Sequence, residues 1–293
     1  GYRANLYQNV NGLTGNVAIG WYAGLYNVTG TGNITIGFRA GQGTSNISNG
    51  NNTFIGYDSG YAVGNGTQNV AVGNSTLANV KSGSLNVAIG MEAGRYATGS
   101  NNTFVGWYAG KGGTTSAPFS SGENNTALGY QALAGFTTGT YNVAIGYQAG
   151  LDSTTAGSNV LIGGLAGANV TTGNTNILIG VNAGSSITDT GECTIIGSYA
   201  GLSINSTDAN GSTGLGYEVL RTLTSGAGNT ALGYKTLGTH VTGHSNTAIG
   251  YQAMWDTDAG SNSNDSDHNI AIGRNSMGGT WANTKSENNI AIG

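Results

Sequence analysis

Charge is scarce in this chain: of 293 residues only 9 are Lys or Arg and 13 are Asp or Glu, a formal net charge of −4. The few cations are scattered along the sequence, which speaks against a nucleic-acid partner, since backbone binding needs a cluster of them. A surface so poor in ions owes its solubility to Asn, Ser, Thr and backbone, and should respond little to salt. There is one cysteine, Cys193. It cannot form an intramolecular disulfide framework or a Cys-based zinc cluster. There is one proline, Pro118. No apolar run approaches the roughly 20 residues a membrane-spanning helix needs, and no basic-then-apolar signal opens the chain. We therefore expect no membrane insertion by this segment.

Glycine is plentiful instead, with 54 copies. Aligned on the glycine that closes each "NVAIG"-like phrase, the copies fall at 20, 37, 56, 73, 90, 106, 129, 146, 163, 180, 197, 216, 233, 250, 273 and 293, and nine of the fifteen intervals are 17 residues. The longest intervals come from insertions at 111–123 and 256–268. A fixed period with indels confined to one place in the unit is the mark of stacked repeats. We read 1–293 as a single repeat domain.

The residue before each closing glycine is aliphatic, and the residue two earlier is Val, Ile or Thr. Alternating β-branched residues specify a strand. Val17, Ile19, Val87, Ile89, Val143, Ile145, Ile249 and Ile272 read as the inward core of such strands. The position between them is also apolar or small, as at Ala18, Ala88, Phe54 and Leu178, so the strand is apolar on both faces and needs cover on both. One layer fills the coil; neighbouring chains supply the other. On this reading, an Asp at Ile145 would put a charge into the core and cost several kcal/mol.

Asn opens fourteen of the sixteen strands, among them Asn16, Asn33, Asn86, Asn142 and Asn246, with Cys193 and Ser212 as the replacements. Identical Asn side chains stacked in register form a hydrogen-bonded ladder. The invariant glycine requires positive φ or a place where no Cβ fits. After it comes "Y-x-A-G" or "Y-x-A-L", with an aromatic first in ten of sixteen copies. This portion reads equally as a second short strand or as one helical turn. Seventeen residues suffice for one narrow coil, and sixteen coils at ~4.8 Å each make a rod of roughly 75 Å.

The phrases "NVAIG" at 16–20, 86–90 and 142–146, "NTAIG" at 246–250 and "NIAIG" at 269–273 resemble the head repeats of trimeric autotransporter adhesins, the YadA-like head. They are similar also to related repeats of bacteriophage tail fibres. The resemblance covers essentially the whole chain. It implies a left-handed parallel β-roll, here of about 16 coils, three of which pack as a parallel homotrimer on the virion or cell surface, without a cofactor or catalytic activity. The adhesin repeat is usually shorter than 17 residues, and the adhesins' coiled-coil stalk and membrane anchor are not in this sequence. The function so implied is a structural or adhesive extracellular fibre segment, a tail-fibre or adhesin shaft. Its partners are copies of itself and a host cell-surface receptor or glycan.

The remaining polar residues offer little other chemistry. "DTDAGSNSNDSDHN" at 256–269 presents Asp256, Asp258, Asp265 and Asp267 as calcium ligands, but Ser261 and Asp267 stand where an EF-hand has Gly and Glu. A solvated loop is the simpler reading. His240 and His244 lie in a turn and read as solvated, with no Glu to complete a zinc-protease motif. Cys193, which replaces an Asn of the ladder, reads as a small buried residue; the alternative is that its copies approach one another in a three-fold assembly. Receptor contact, where this segment makes any, falls to the insertions and to Phe119, Trp255 and Trp281. Two rival functions are a self-polymerising surface filament and an ice-binding solenoid. The second is disfavoured because the Thr residues share the strand position assigned to the core. Both ends fall at the closing-glycine position with no capping repeat, so we expect an internal stretch of a longer fibre.

Overall fold

The computed structural model describes residues 1–6, 14–45, 47–113, 119–255, 266–279 and 286–293. It is all-β, with sixteen three-residue strands, one per repeat, and one helical turn at Thr207–Ala209 among the described residues. No helix there is long and apolar enough to cross a membrane. The chain divides into two compact units, Gly1–Ile145 and Gly146–Gly293. The first holds β1 (Val17–Ile19) through β8 (Val143–Ile145), the second β9 (Val160–Ile162) through β16 (Ile290–Ile292). Within each unit, every strand pairs in parallel with that of the next repeat, position for position, as Val70 with Val87, Ala71 with Ala88 and Val72 with Ile89. A parallel pair needs a return crossover. The rest of each coil supplies it, and the result is a β-solenoid.

The faces of the strand are the reverse of the expectation. The central residue points inward: Ala88, Phe104, Leu161 and Ile195 are fully buried. The flanking residues point out, with Ile19 57% and Ile89 42% exposed. Val17 is exposed too, and Val87, Val143, Ile145, Ile249 and Ile272 are half-buried, so none of the eight residues assigned to the core lies in it. The cause is the narrowness of the coil. Its interior is shared with the opposite wall, which leaves room for one strand side chain per coil, and the Ala-rich position is the one that fits. An Asp at Ile145 would therefore meet the outer face rather than the core.

That opposite wall is built from the "Y-x-A-G/L" portion, which is neither strand nor helix. It runs as successive four-residue turns, with Ala40 N–H donating to Gly37 O (3.4 Å) and Gln42 N–H to Arg39 O (3.2 Å). Every second residue is left-handed, Arg39 at φ 54° and Gly41 at 58°. The turns also bond from coil to coil, as Arg39 N–H to Trp21 O (2.8 Å) and Gly41 N–H to Ser59 O (2.8 Å).

Core volume is traded between the two walls. Where the strand centre is large, the fourth residue after the closing glycine is Gly: Phe54 with Gly60, Phe104 with Gly110, Leu178 with Gly184. A Cβ at Gly60 would lie 2.7 Å from the Phe54 ring, and one at Gly184 2.9 Å from Leu178 Cδ1. At several coils whose strand centre is Ala or Gly, that residue is large: Ala71 with Leu77, Ala127 with Leu133, Gly214 with Leu220, Ala248 with Met254, while Ala18 with Gly24 and Ala144 with Gly150 are small on both walls. The large side chains are fully buried despite left-handed backbone, Leu77 at φ 45° and Leu220 at 51°. Such φ values cost a non-glycine residue about 1 kcal/mol or more, which the buried side chain offsets. Ala88 with Gly94 is small on both walls because its neighbours reach in. A Cβ at Gly94 would be 2.7 Å from Leu77 Cδ2 and 2.9 Å from Phe104 Cδ2.

The Asn ladder is present and buried. In the first unit each ladder amide N–H donates to the Oδ1 of the preceding coil's Asn, at 2.7–3.0 Å from Asn33 through Asn142. Each side-chain Nδ2 also bonds a turn carbonyl, as Asn52 to Gly66 O (3.0 Å). The 111–123 insertion leaves the ladder undisturbed, with Asn125 N–H 2.9 Å from Asn102 Oδ1. The closing glycine meets both of its expected requirements. At Gly73, φ is 137° and a Cβ would lie 2.7 Å from Gly90 O.

Candidate interaction surface

The outward face of the strands is the most distinctive surface. Across all sixteen strands its two positions hold only Val, Ile, Leu and Thr. Beside them, past the glycine column, runs a row of exposed aromatics that includes Trp21, Tyr57, Trp107, Tyr147 and Tyr251. Many of these rings stack along the coils: Phe38 on Tyr57 at 5.1 Å, Tyr217 on Tyr234 at 5.5 Å, Tyr234 on Tyr251 at 5.1 Å, all within 13° of parallel. Stacked this way, the rings cover one another's faces and turn their edges outward.

Some of the scattered charges are paired, within a coil and between successive coils. Glu92 bonds Arg95 (2.8 Å) and, on the next coil, Lys111 (3.2 Å). Glu218 does the same with Arg221 (3.7 Å) and Lys235 (3.4 Å). Arg39 Nε meets Asp58 Oδ1 at 2.7 Å. Burial pushes the Glu92 carboxyl up, but hydrogen bonds from Arg95 and Lys111 prevail and hold it below the usual carboxylate range. The signal in the sequence was a Glu, an Arg three residues on, and a Lys one coil later.

The individual candidates fall out unevenly. Phe119 is half-buried, stacked on Tyr96 (6.0 Å, 13°) with Lys81 5.3 Å from its ring centre. Trp255 is half-buried, with Lys235 5.1 Å from its ring, and lies on Gly238, where a Cβ would collide with it. Both rings are thus anchored on earlier coils of the same chain. Trp281, Asp256, Asp258 and Asp265 lie outside the described residues. Asp267 is half-buried, and its Oδ1 accepts the backbone N–H of His244 (2.7 Å).

Two expectations need correction. His240 is not solvated but fully buried, because it occupies an interior column that Val63, Val80, Val170, Ile187 and Leu223 fill in other coils. Of the two, His244 is the exposed one, accepting the Ala227 N–H on Nδ1 (3.0 Å). Cys193 is buried inside its own coil, its Sγ 3.4 Å from Ala209 O, so its copies cannot approach one another.

No protein-family model, curated protein or solved structure matches this chain.

Proposed function

We propose that the chain is a structural, non-catalytic segment of an extracellular or virion fibre, a tail-fibre or adhesin shaft, in which parallel copies pack as a homotrimer. The observation that carries this reading is the uncharged, largely aliphatic face, with Thr among its Val, Ile and Leu, running along the coils of each unit. Parallel sheets ordinarily have both faces covered, and contiguous apolar rows, unlike single exposed side chains, mark an interaction surface. A second copy suits this face because its own rows repeat at the same coil spacing. The proposed role is mechanical: ladder, coil-to-coil bonds and two apolar layers resist unfolding and proteolysis. Sixteen near-equivalent coils offer no unique place for a nucleophile, its base and an oxyanion site. Introducing Ile89→Glu and Leu128→Glu together should give a chain with unchanged β-sheet circular dichroism that sediments as a monomer. Assembly that survives both charges would overturn the reading.

One observation favours a second reading. Thr194, Thr213, Thr230 and Thr247 stand in direct register on successive strands. They point out rather than in, which removes the reason for setting an ice-binding solenoid aside. A trimer would bury that row, so the two readings exclude each other. Thermal hysteresis by a monomeric chain would favour the ice surface; its absence, with a trimer in solution, would favour the fibre.

A further inference from the structure

In the unit Gly146–Gly293 the Asn ladder is weakened at two successive coils, where Cys193 and Ser212 replace Asn. Asn176 Oδ1 accepts the amide of Cys193 (3.0 Å), but the thiol has no side-chain oxygen to offer the next coil. Its Sγ reaches Ala209 O at 3.4 Å, and Ser212 Oγ reaches Gly226 O at 3.4 Å. Both still reach the next coil's turn carbonyl, but neither carries an amide oxygen: the Ser212 backbone N–H meets only the weakly accepting Cys193 sulfur, and a hydroxyl engaged with Gly226 O stands where the Asn229 amide would find an Oδ1. Beyond them the ladder resumes, with Asn246 N–H and Nδ2 bonding Asn229 Oδ1 at 3.0 and 3.2 Å.

The same stretch departs from the repeat in two further ways. Its strand Thr213–Leu215 has glycine, Gly214, at the centre, the one strand of the sixteen without an inward side chain. The coil leading into it carries the helical turn Thr207–Ala209 in place of a plain turn. A strand-interior glycine weakens a strand by entropy and by lost packing. Lost ladder bonds act in the same direction.

We propose that the coils from Cys193 to Asn229 form a weak joint, the place at which this unit opens first and locally while the coils with an intact ladder stay closed. Regions with fewer internal bonds open as separate cooperative pieces, below the free energy of global unfolding. The inference does not depend on how copies assemble.

The joint contains its own reporter. Cys193 is the chain's one thiol, fully buried, and burial pushes its pKa up, so it is inert until the coils part. Labelling by N-ethylmaleimide in native buffer with low urea, followed by mass spectrometry, reads the opening directly. For comparison, Ala248→Cys in a Cys193→Ser background places a thiol at a buried strand centre where the ladder is intact. Cys193 should react at least tenfold faster than the thiol at 248 and with weaker urea dependence. Ser212→Asn, which supplies the missing ladder amide, should slow Cys193 labelling about tenfold. Equal rates and equal urea dependence at both sites would overturn the joint. Unchanged Cys193 labelling in a folded Ser212→Asn chain would overturn the ladder as its cause. A Ser212→Asn chain that does not fold leaves the comparison between 193 and 248 decisive.

Discussion

Exchanging the large and small partners across one coil should be far less costly than changing either alone. Phe54→Ala removes a buried ring, 1% exposed, and such truncations cost about 3–5 kcal/mol. Gly60→Leu alone forces a Cβ to within 2.7 Å of the Phe54 ring, and overpacking costs typically 1–3 kcal/mol. The left-handed backbone at Gly60, φ 61°, adds about 1 kcal/mol for a side chain. The double change, Phe54→Ala together with Gly60→Leu, recreates the arrangement of Ala71 with Leu77 on the next coil. Its cost should fall to roughly 1–2 kcal/mol, a favourable coupling of at least about 3 kcal/mol. Successive coils of this kind are tolerated, since Leu220, Leu237 and Met254 follow one another, all fully buried. Urea unfolding of the four chains, followed by circular dichroism, closes the cycle. Additivity within about 0.5 kcal/mol would refute the volume exchange.

Gly73→Ala should destabilise by at least about 3 kcal/mol, because both the φ of 137° and the approach to Gly90 O forbid a Cβ; a melting temperature within about 2 °C of the parent, a shift too small for such a loss, would contradict this. Asn69→Ala removes an Oδ1 that serves the Asn86 amide and side chain, and an Nδ2 that serves Gly83 O. The loss should be about 2–4 kcal/mol, at about 1 kcal/mol per bond, read by urea midpoint. Acidification should weaken the first unit through Glu92. Its folded pKa is lowered, so its contribution is complete above the ordinary carboxylate range and is lost as pH falls through the folded value. Glu92→Gln should flatten the stability profile between about pH 5 and 3, centred on that range, and an unchanged profile would contradict the assignment.

How much was legible in the sequence follows from what repeats. The strand, its parallel stacking and the ladder were readable because Asn16, Asn33 and Asn86 recur at one phase and parallel register repeats them in space. Which face turned inward was not, because both faces are apolar and alternation alone assigns no direction. The size relation between Phe54 and Gly60, or Ala71 and Leu77, would have settled it, since only inward residues share a fixed volume. The four-residue turns escaped notice because their left-handed positions carry ordinary residues such as Arg39 and Glu92, whose conformation is imposed by coil-to-coil bonds. His240 read as a turn residue because its interior column is otherwise aliphatic.

The mass of the chain in dilute solution tests the central claim most directly, that copies of the chain cover the outward strand face. Sedimentation equilibrium over a hundredfold range of concentration should find a stable species of three 29.3 kDa chains. A monodisperse single chain, with the circular dichroism of a folded β-solenoid throughout that range, would contradict it.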